Sequence, residues 1–557
     1  MTDYFEVYDR DGPARLGELR LADPVRTPAL VDGVLHDAGS LWREDQPLPD
    51  GDESELTVLP HRAFPAGTDD RVKEAFQTAY DDVPYPSGAV VSPETARDFG
   101  ADAYVLSGGP GRSGHAEGFV DALLDTKAAT PADSALYVSG IATPANVATL
   151  AYAGVDLFDS DYARVRGTEG FYLHTDGESF LEDLDELPCV CPACQQPREA
   201  FTRRDCAEHN VNALQAELSR VRQRIRRGRL RDYVEGQARH EAWTTALVRR
   251  LDSQYTYVEA HTPLLRRQDI LAASEDTLLP CSARKPYSDS QSHEQFSRAV
   301  SYRGHVVSMT SPIGVVPTEL ELTYPAQQYD SVVTGDWTAG EYEFVAAVLE
   351  RYLDRNRDRY TELIAHVPED YRPICERVEA SLGVSFEYTV TDHPTTEASL
   401  AALSDALDGY DSFRMREREH ATVRAVADYL IGDGAGDELF DGIETGGRYP
   451  KLRVHKEGEQ LATLVAQYGT LSFTLAGARE WAESAVPTKT VEIDAFVPQG
   501  SVLAPGIVDA SAEIRVGDEV VIEGPTAFAV GRAVMSGPEM NESTRGVAVD
   551  VRHCEER

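Results

Sequence analysis

Long apolar runs and cysteines are both scarce in this chain of 557 residues. No segment reaches the roughly 18 uninterrupted apolar residues that a membrane span needs, and the start MTDYFEVYDRDG lacks the basic and then apolar order of a signal peptide. We therefore expect a cytoplasmic protein with no membrane segment. Disulfides are rare in the cytoplasm, and the seven cysteines are an odd number, so we do not expect a disulfide scaffold. Four of the cysteines lie within residues 189–206, and this clustering favours a metal site.

Basic residues are also scarce, since 53 Lys and Arg face 94 Asp and Glu and leave a formal net charge of -41. At low salt such a surface repels a polyanion such as RNA. At molar salt the Debye length falls to about 3 Å, so distant acidic groups stop repelling RNA and only local arginine contacts count. The composition therefore indicates a halophile, adapted to a salty cytoplasm.

Short β-rich runs alternate with helical patterns over the first part of the chain, as in SGAVVSPETARDFGADAYVLSGG. This is the order of parallel βα units, whose chemistry sits at the C-terminal ends of the strands, where we expect Asp156 and Asp159. The last stretch has short Val/Ile strands broken by Gly and Pro, typical of a small β-barrel. We predict an α/β fold with an N-terminal TIM-like (β/α)8 barrel and zinc subdomain (1–238), α+β middle domains (239–428 and 429–486) and a small β-barrel (487–557).

The clustered cysteines form a C-x-C-x2-C knot of Cys189, Cys191 and Cys194, and His209 follows fifteen residues after the last of them. Three thiolates and one imidazole complete a tetrahedral structural zinc site that is closed to substrate. Cys206 is the alternative to His209 as the fourth ligand. A knot of buried thiols without a metal does not suit this polar, Pro-broken stretch.

The densest group of reactive side chains is the string PC-x3-KPY-x2-S-x2-H in the middle region. It contains Pro280, Cys281, Lys285, Pro286, Tyr287, Ser290 and His293. Lys285 is one of only six lysines in the chain, which suggests that its compact ammonium is specifically required. The alternative is a Pro-broken loop whose Lys and His are merely solvated.

A block of arginines provides a candidate contact with a nucleic acid. It comprises Arg220, Arg222, Arg224, Arg226, Arg227, Arg229 and Arg231. Such a block forms a local positive patch on an acidic protein, with Arg224, Arg227 and Arg229 as the candidate RNA ligands. The alternative is that half of the block neutralises neighbouring acids.

Four ordered motifs resemble the tRNA-guanine transglycosylase superfamily: GIATP at 140–144, GVDLFDS at 154–160, the cysteine knot and the HN pair at 209–210. The resemblance implies that Asp159 occupies the position of the nucleophile that displaces a base from ribose. The DSGGFQ-like segment of that family and its base-binding Asp have no counterpart here, because LPHRAFPAGT and DAYVLSGG stand in their places. We therefore expect an inactive exchange site, with Asp159 a relic or a structural cap.

The PC-x3-KPY-x2-S-x2-H string and the segment SMTSPIGVVPTELELTYPAQQYD resemble the archaeosine synthases, archaeal paralogues of the transglycosylases. The resemblance implies an enzyme that acts on tRNA carrying 7-cyano-7-deazaguanine (preQ0) at position 15. The nitrile of preQ0 would receive nitrogen from lysine or glutamine, and in the lysine route a separate radical SAM enzyme would complete archaeosine. Pairing into a homodimer through the zinc-bearing region is a further expectation.

The C-terminal strings SVLAPGIVDA, IRVGDEVVI and AVGRAVMSG resemble a PUA domain, which implies tRNA binding. There Gly506 would allow close approach of RNA, and Arg532 would meet a phosphate; an ordinary turn glycine and a solvated arginine are the alternatives. Two other functions stay open: a transglycosylase that inserts preQ0, and a catalytically silent tRNA-binding subunit.

The reactive string suits addition to a nitrile, which is a weak electrophile. Cys281 could add first to give a thioimidate, and the neighbouring Lys285 would lower its pKa. His293 could act as acid or base, because an unperturbed imidazole titrates near pH 6.5, while Tyr287 and Ser290 orient the reactants. The alternative is direct attack by the amine, assisted by His293, with Cys281 a plain buried thiol.

Overall fold

The computed structural model describes residues 4–39, 48–62, 64, 68–75, 83–93, 95–96, 100–254, 285–310, 313–324, 326–327 and 339–557. Within these ranges, no helix combines the length and apolar character needed to cross a membrane.

The N-terminal part is built on a seven-stranded sheet in which every pair of neighbours is parallel. In spatial order its strands are Ala29–Leu30, Leu157–Phe158, Ala135–Tyr137, Ala103–Leu106, Ser87–Val91, Leu56–Val58 and Leu35–Asp37. The two edge strands are joined by residues 31–34 alone, so the sheet must curl until its edges approach each other. Residues 31–34 form backbone hydrogen bonds with strands near both edges of the sheet. Val31 N–H donates to the Phe158 carbonyl (2.9 Å), and Leu56 N–H donates to the Val34 carbonyl (2.7 Å).

This curled parallel sheet confirms the predicted TIM-like α/β class, with seven strands in the part of the chain that is described. Ala103–Leu106 is buried along its whole length, as expected for parallel strands with both faces covered. An antiparallel sheet of Phe5–Asp11, Ala14–Leu19 and Val25–Thr27 precedes the barrel strands. The helices of this part are Asp70–Ala75, Gly109–Arg112, Ala116–Ala129, Val147–Tyr152, Asp161–Glu169, Arg203–Arg227, Leu230–Ala238 and Ala242–Asp252.

The cysteine-rich segment lies between a hairpin and the longest of these helices. The hairpin pairs Phe171–His174 with Gly177–Phe180. The helix Arg203–Arg227 begins with a capping box, in which the Thr202 and Asp205 side chains each accept from the other residue's backbone N–H. It ends at Gly228, whose φ of 58° is a left-handed conformation that suits glycine.

The middle region is α+β, as predicted. Its helices are Gln291–Val300, Ala339–Arg355, Arg372–Leu382, Glu397–Ala406, Met415–Leu430 and Ala435–Phe440. A hairpin pairs Val307–Thr310 with Gly314–Pro317, and a parallel pair joins Leu363–Ala365 to Phe386–Tyr388. The two helices 339–355 and 372–382 pack through an apolar core that includes Val345, Leu349 and Ile374.

The rest of the chain forms two antiparallel-rich sheets. The first contains, in order, Glu444–Arg448, Lys451–Lys456, Glu459–Val465 and Thr470–Phe473, with the helix Leu475–Glu483 beside it. The second has six strands in the order Ser501–Leu503, Val547–Glu556, Ala527–Ala533, Glu519–Glu523, Thr490–Ile493 and Ile507–Ala510, with the short helix Gly537–Glu542. This small C-terminal β-structure agrees with the predicted one.

The two C-terminal sheets share an apolar core, because Phe528 and Val530 pack in the same cluster as Leu452 and Trp481. The predicted boundaries at 238/239, 428/429 and 486/487 stay predictions.

Candidate functional site

The middle region contains a cleft of about 1110 Å³. The helix Gln291–Val300 contributes His293 and Phe296 to its lining, and the hairpin 307–317 contributes Val307 and Met309. Tyr352, from the helix Ala339–Arg355, lies on another wall. The cleft therefore adjoins the segment that carries the reactive string.

Part of that string forms an aromatic stack that leads into the cleft. The Nζ atom of Lys285 lies 5.9 Å from the centroid of the Tyr287 ring. The Tyr287 ring stacks on His293 with centroids 4.9 Å apart, and His293 meets Phe296 edge-on at 5.5 Å. The structure thus brings Lys285, Tyr287 and His293 together. Cys281 lies outside the described residues.

The imidazole of His293 is half-buried and uncharged. Burial lowers the pKa of His293 to about 4, so the ring is uncharged near neutral pH. Among the described residues, none forms a hydrogen bond with it. The neutral ring is the form that a general base requires, while the same burial disfavours the imidazolium and makes the ring a weak base. Ser290 directly precedes this helix, is buried, and places its Oγ 2.9 Å from Ser292 Oγ.

A buried carboxylate, Glu321, anchors the KPY turn. Its Oε2 accepts from the Ser288 backbone N–H at 2.9 Å, and its Oε1 accepts from the Tyr449 hydroxyl at 2.6 Å. Burial and the nearby carboxylate raise the pKa of Tyr449, so this hydroxyl remains a donor. The turn is therefore tied to the C-terminal half of the chain through one side chain.

Sequence reasoning missed two further histidines that line the cleft, His305 and His366. Both ring nitrogens of His366 are engaged, since they lie 2.8 Å from the Thr389 hydroxyl and 2.8 Å from the Pro394 carbonyl oxygen. His305 instead places Nε2 2.7 Å from a carboxylate oxygen of Glu319. Neither histidine lies in a recognisable motif. Only knowledge of which residues face each other in the hairpin could have revealed the contact between His305 and Glu319.

The cysteine knot and His209 converge as predicted. Their ligand atoms all lie within 4.8 Å of one another; Cys191 and Cys194 sulfurs are 3.6 Å apart, and His209 Nδ1 lies 3.6 and 3.3 Å from them. Tetrahedral zinc with bonds of about 2.3 Å to sulfur and 2.0 Å to nitrogen would space its ligands by roughly 3.5 to 3.8 Å. The donor set and its spacing therefore fit a metal ion.

The surroundings of this cluster orient its imidazole. His209 Nε2 lies 3.1 Å from the Leu173 carbonyl oxygen, so a proton on Nε2 leaves the Nδ1 lone pair facing the sulfurs. Burial lowers the pKa of His209 to about 4, which keeps the ring in its neutral, ligating form. Cys206 turns away, because its Sγ donates to the Phe171 carbonyl (3.4 Å). The geometry favours His209 over Cys206 as the fourth ligand.

The barrel carboxylate Asp159 follows the strand Leu157–Phe158 and is buried. Its Oδ2 accepts from the Tyr137 hydroxyl (2.9 Å) and the Gly140 N–H (2.8 Å), and its Oδ1 accepts from the Asp161 N–H (3.1 Å). Burial raises its pKa. These contacts are those of a structural cap at a strand end.

The expectation that Asp156 lies at the C-terminal end of a strand is wrong. The strand begins at Leu157, so Asp156 stands at its N-terminal end. There it pairs with the buried Arg15, whose Nε lies 3.1 Å from Asp156 Oδ1, and it accepts from the Leu136 N–H at 2.8 Å. The residue stabilises the bottom of the barrel.

The arginine block lies on the end of the helix Arg203–Arg227 and just beyond it. Arg229 pairs with Asp232 at 2.7 Å, as expected if part of the block neutralises neighbouring acids. The Arg224 guanidinium lies over the Tyr233 ring at 5.0 Å, and Arg227 is exposed. The exposed cationic surface is therefore smaller than the number of arginines implies.

In the C-terminal sheet, the two candidate RNA ligands have protein neighbours. A Cβ on Gly506 would meet the Phe496 ring at 2.8 Å, so glycine is required there by packing alone. The Arg532 guanidinium lies over the Tyr468 ring at 5.1 Å. The geometry gives both residues a structural role and leaves their RNA contacts as predictions.

Comparison with known proteins places these parts in one family. Family models match residues 90–242 (queuine tRNA-ribosyltransferase), 266–407 (a domain of unknown function), 421–487 (patch-forming domain C2 of tRNA-guanine transglycosylase) and 490–554 (PUA domain). A protein of Haloferax volcanii named archaeosine synthase is 59% identical, with 100% of both chains covered. The chain belongs to the archaeosine synthase family. It is thus a tRNA-modifying transferase, as the resemblance to the archaeosine synthases implied.

Two other relatives mark the breadth of the similarity. An archaeosine synthase subunit alpha of Methanosarcina acetivorans is 40% identical, with 99% of both chains covered. A tRNA-guanine(15) transglycosylase of Methanothermobacter thermautotrophicus is 27% identical over 78% of this chain and 68% of its own. The first resemblance extends over nearly the whole length, whereas the second leaves out about a fifth of this chain.

Proposed function

We propose that this chain adds an amine nitrogen to the nitrile carbon of preQ0 at position 15 of tRNA, on the route to archaeosine. The full-length similarity to an archaeosine synthase carries the proposal. The cleft supports it, because it joins an uncharged His293 to the turn that holds Lys285 and Tyr287. Lysine or glutamine supplies the nitrogen, and with lysine a radical SAM enzyme completes the product.

The roles of the residues follow from the chemistry of the nitrile. Lys285 holds Cys281 in its thiolate form, which adds to the nitrile carbon while the nitrile nitrogen takes up a proton, giving a thioimidate. The amine then bonds to the same carbon, and the C–S bond breaks to release the Cys281 thiolate. His293 takes a proton from the incoming amine, which must be uncharged to attack. Tyr287 stacks on His293 and, with Ser290, keeps the imidazole oriented. If Cys281→Ala keeps full turnover on preQ0-containing tRNA, the covalent step is refuted and direct attack by the amine replaces it.

The barrel and the C-terminal sheet serve tRNA binding in this proposal. Asp159 makes three hydrogen bonds within the protein, which supports a structural cap and not a base-exchanging nucleophile. Arg224, Arg227, Arg229 and Arg532 contact phosphates, and the Gly506 backbone approaches the RNA. The protein works in a salty cytoplasm, where its acidic surface repels tRNA little.

Cys189, Cys191, Cys194 and His209 would hold a zinc ion, whose part is structural because four protein ligands close its coordination. The ion would cross-link the segment 189–194 to the helix Arg203–Arg227, whose His209 also contacts the Leu173 carbonyl of the hairpin. A homodimer formed through this subdomain belongs to the same proposal.

One assay tests the function. The full chain is incubated in KCl with preQ0-containing tRNA and lysine, glutamine or ammonia as the sole amine, and the nucleosides are analysed by mass spectrometry. A new amine adduct or archaeosine with one donor is expected. A parallel reaction with labelled preQ0 and unmodified tRNA should incorporate no label. Incorporation would identify a transglycosylase, and no product in either reaction would identify a silent tRNA-binding subunit.

A further inference from the structure

The hairpin register places His305 opposite Glu319. Val307 pairs with Pro317 at the open end of the antiparallel hairpin. His305 lies two residues before Val307, and Glu319 lies in the single 3-10 turn Thr318–Leu320 that extends the hairpin beyond Pro317. The Thr318 N–H donates to the Val306 carbonyl at 3.0 Å and holds the extension in place. The resulting His305–Glu319 contact is 2.7 Å long.

This pair belongs to the same cleft as His293. All three residues line it. The turn that carries Glu319 also carries Glu321, whose carboxylate accepts the Ser288 N–H of the KPY segment at 2.9 Å. One short stretch of chain therefore positions both the reactive string and the His305–Glu319 pair, so the two cannot shift independently.

The three histidines that line the described part of the cleft differ in their partners. His366 has both nitrogens engaged by a hydroxyl and a carbonyl oxygen. His293 is uncharged and stacked between aromatic rings. His305 has a carboxylate partner and leaves 46% of its side chain exposed, so its second nitrogen can reach a ligand.

Addition of an amine to a nitrile needs a proton donor as well as a base. Whether the Cys281 thiolate adds first and is then expelled by the amine, or the amine adds directly, the amine nitrogen ends bonded to the nitrile carbon, one π bond of the C≡N group breaks, and its electron pair remains on the nitrile nitrogen. That nitrogen must gain a proton, while the amine nitrogen must lose one. The net reaction therefore moves one proton from the amine nitrogen to the nitrile nitrogen and consumes no other reactant.

We propose that the His305–Glu319 pair delivers the proton that the nitrile nitrogen takes up, while His293 receives the proton of the amine. This inference rests on the proposed amine addition. A carboxylate beside an imidazole stabilises the imidazolium form, which is the proton donor. The hydrogen bond from His305 lowers the pKa of Glu319 despite its burial, with a smaller contribution from the charge of Arg418. Glu319 is thus charged at neutral pH, and it raises the pKa of the neighbouring Tyr352, together with burial, to about 12.

The test uses the full chain in KCl with preQ0-containing tRNA and a saturating amine that supports turnover of the parent enzyme. His305→Gln removes the donor, and Glu319→Gln keeps the shape of the side chain but removes its charge. Each is expected to lower the single-turnover rate by about 100-fold, the usual contribution of one acid or base, without changing the Kd for tRNA. The double variant should be no slower than the slower single variant, because the two residues act as a unit.

The choice of amine separates the two histidines. Hydroxylamine is largely uncharged at neutral pH, so it needs no base to become a nucleophile. It should restore part of the rate to His293→Gln and none to His305→Gln. Equal rescue of both variants would overturn the assignment of His305 as the donor.

His240→Gln is the matched control, because His240 is exposed and lies outside the cleft; its rate should equal that of the parent. Rates of His305→Gln and Glu319→Gln within about threefold of the parent, at unchanged tRNA affinity, would overturn the inference. If the parent forms no adduct with any amine, it is the proposed function that fails. An active parent with active variants refutes only the role of this pair.

Discussion

The contact between Tyr449 and Glu321 gives a quantitative prediction about how the reactive turn is held. Glu321 is 3% exposed and accepts from the Tyr449 hydroxyl at 2.6 Å and from the Ser288 N–H at 2.9 Å. A hydrogen bond to a charged group contributes about 1.5 to 3 kcal/mol. Tyr449→Phe removes one such bond and leaves a buried carboxylate oxygen without its donor, so it should lower the free energy of unfolding by about that amount.

A double-mutant cycle isolates this contact. Tyr449→Phe, Glu321→Met and the double variant are unfolded with urea in KCl, and a coupling free energy of about 1.5 to 3 kcal/mol is expected. Tyr302→Phe is the control, because Tyr302 is 41% exposed and its hydroxyl should contribute less than about 0.5 kcal/mol. The pKa of Tyr449 is raised, so the extra stability of the parent over Tyr449→Phe should persist as the pH rises until the unfolded tyrosine ionises near about pH 10. A coupling below about 0.5 kcal/mol would refute the reasoning.

Three other predictions concern the remaining sites. The purified parent should contain one zinc per chain by elemental analysis and Cys194→Ala none, with a lower melting temperature, because metal binding to such a site contributes to folding; equal metal content would remove Cys194 from the ligand set. Asp159→Asn should keep the rate of adduct formation but lower the melting temperature, since an amide cannot accept all three hydrogen bonds; a lost rate at full tRNA affinity would give Asp159 a chemical role. Arg226→Ser with Arg227→Ser should reduce the salt slope of tRNA binding by about 2, and an unchanged slope would exclude this helix end from the interface.

The sequence predicted those features that local spacing determines. The knot at Cys189, Cys191 and Cys194 fixes three ligands within six residues, and the helix that carries His209 starts at a capping box that is readable in the sequence. The alternation of β-rich and helical runs likewise predicted the class of the barrel. These features depend on neighbours along the chain, so they needed no knowledge of the tertiary structure.

Features that depend on register or on distant contacts were missed. Asp156 was placed at the wrong end because a strand of two residues, Leu157–Phe158, shows no boundary in the sequence. The His305–Glu319 pair depends on how the hairpin aligns, and a shift of one residue would turn the two side chains to opposite faces. Gly506 packs against the Phe496 ring, a contact that no local motif in the sequence indicates. In each case the missing information was the tertiary partner.

The fixed docking of the C-terminal sheet on the barrel bears on how one nucleotide of a tRNA is selected. Arg10 forms an ion pair with Glu539, and their side chains are only 6% and 7% exposed. The Thr544 N–H donates to Asp133 at 2.7 Å across the same boundary. These contacts hold the C-terminal sheet against the barrel, and loss of one partner of such a buried ion pair costs about 3 to 5 kcal/mol. An RNA held by the C-terminal sheet therefore lies at a fixed distance from the rest of the chain. This distance, and not recognition of the base sequence, can determine which nucleotide reaches the cleft.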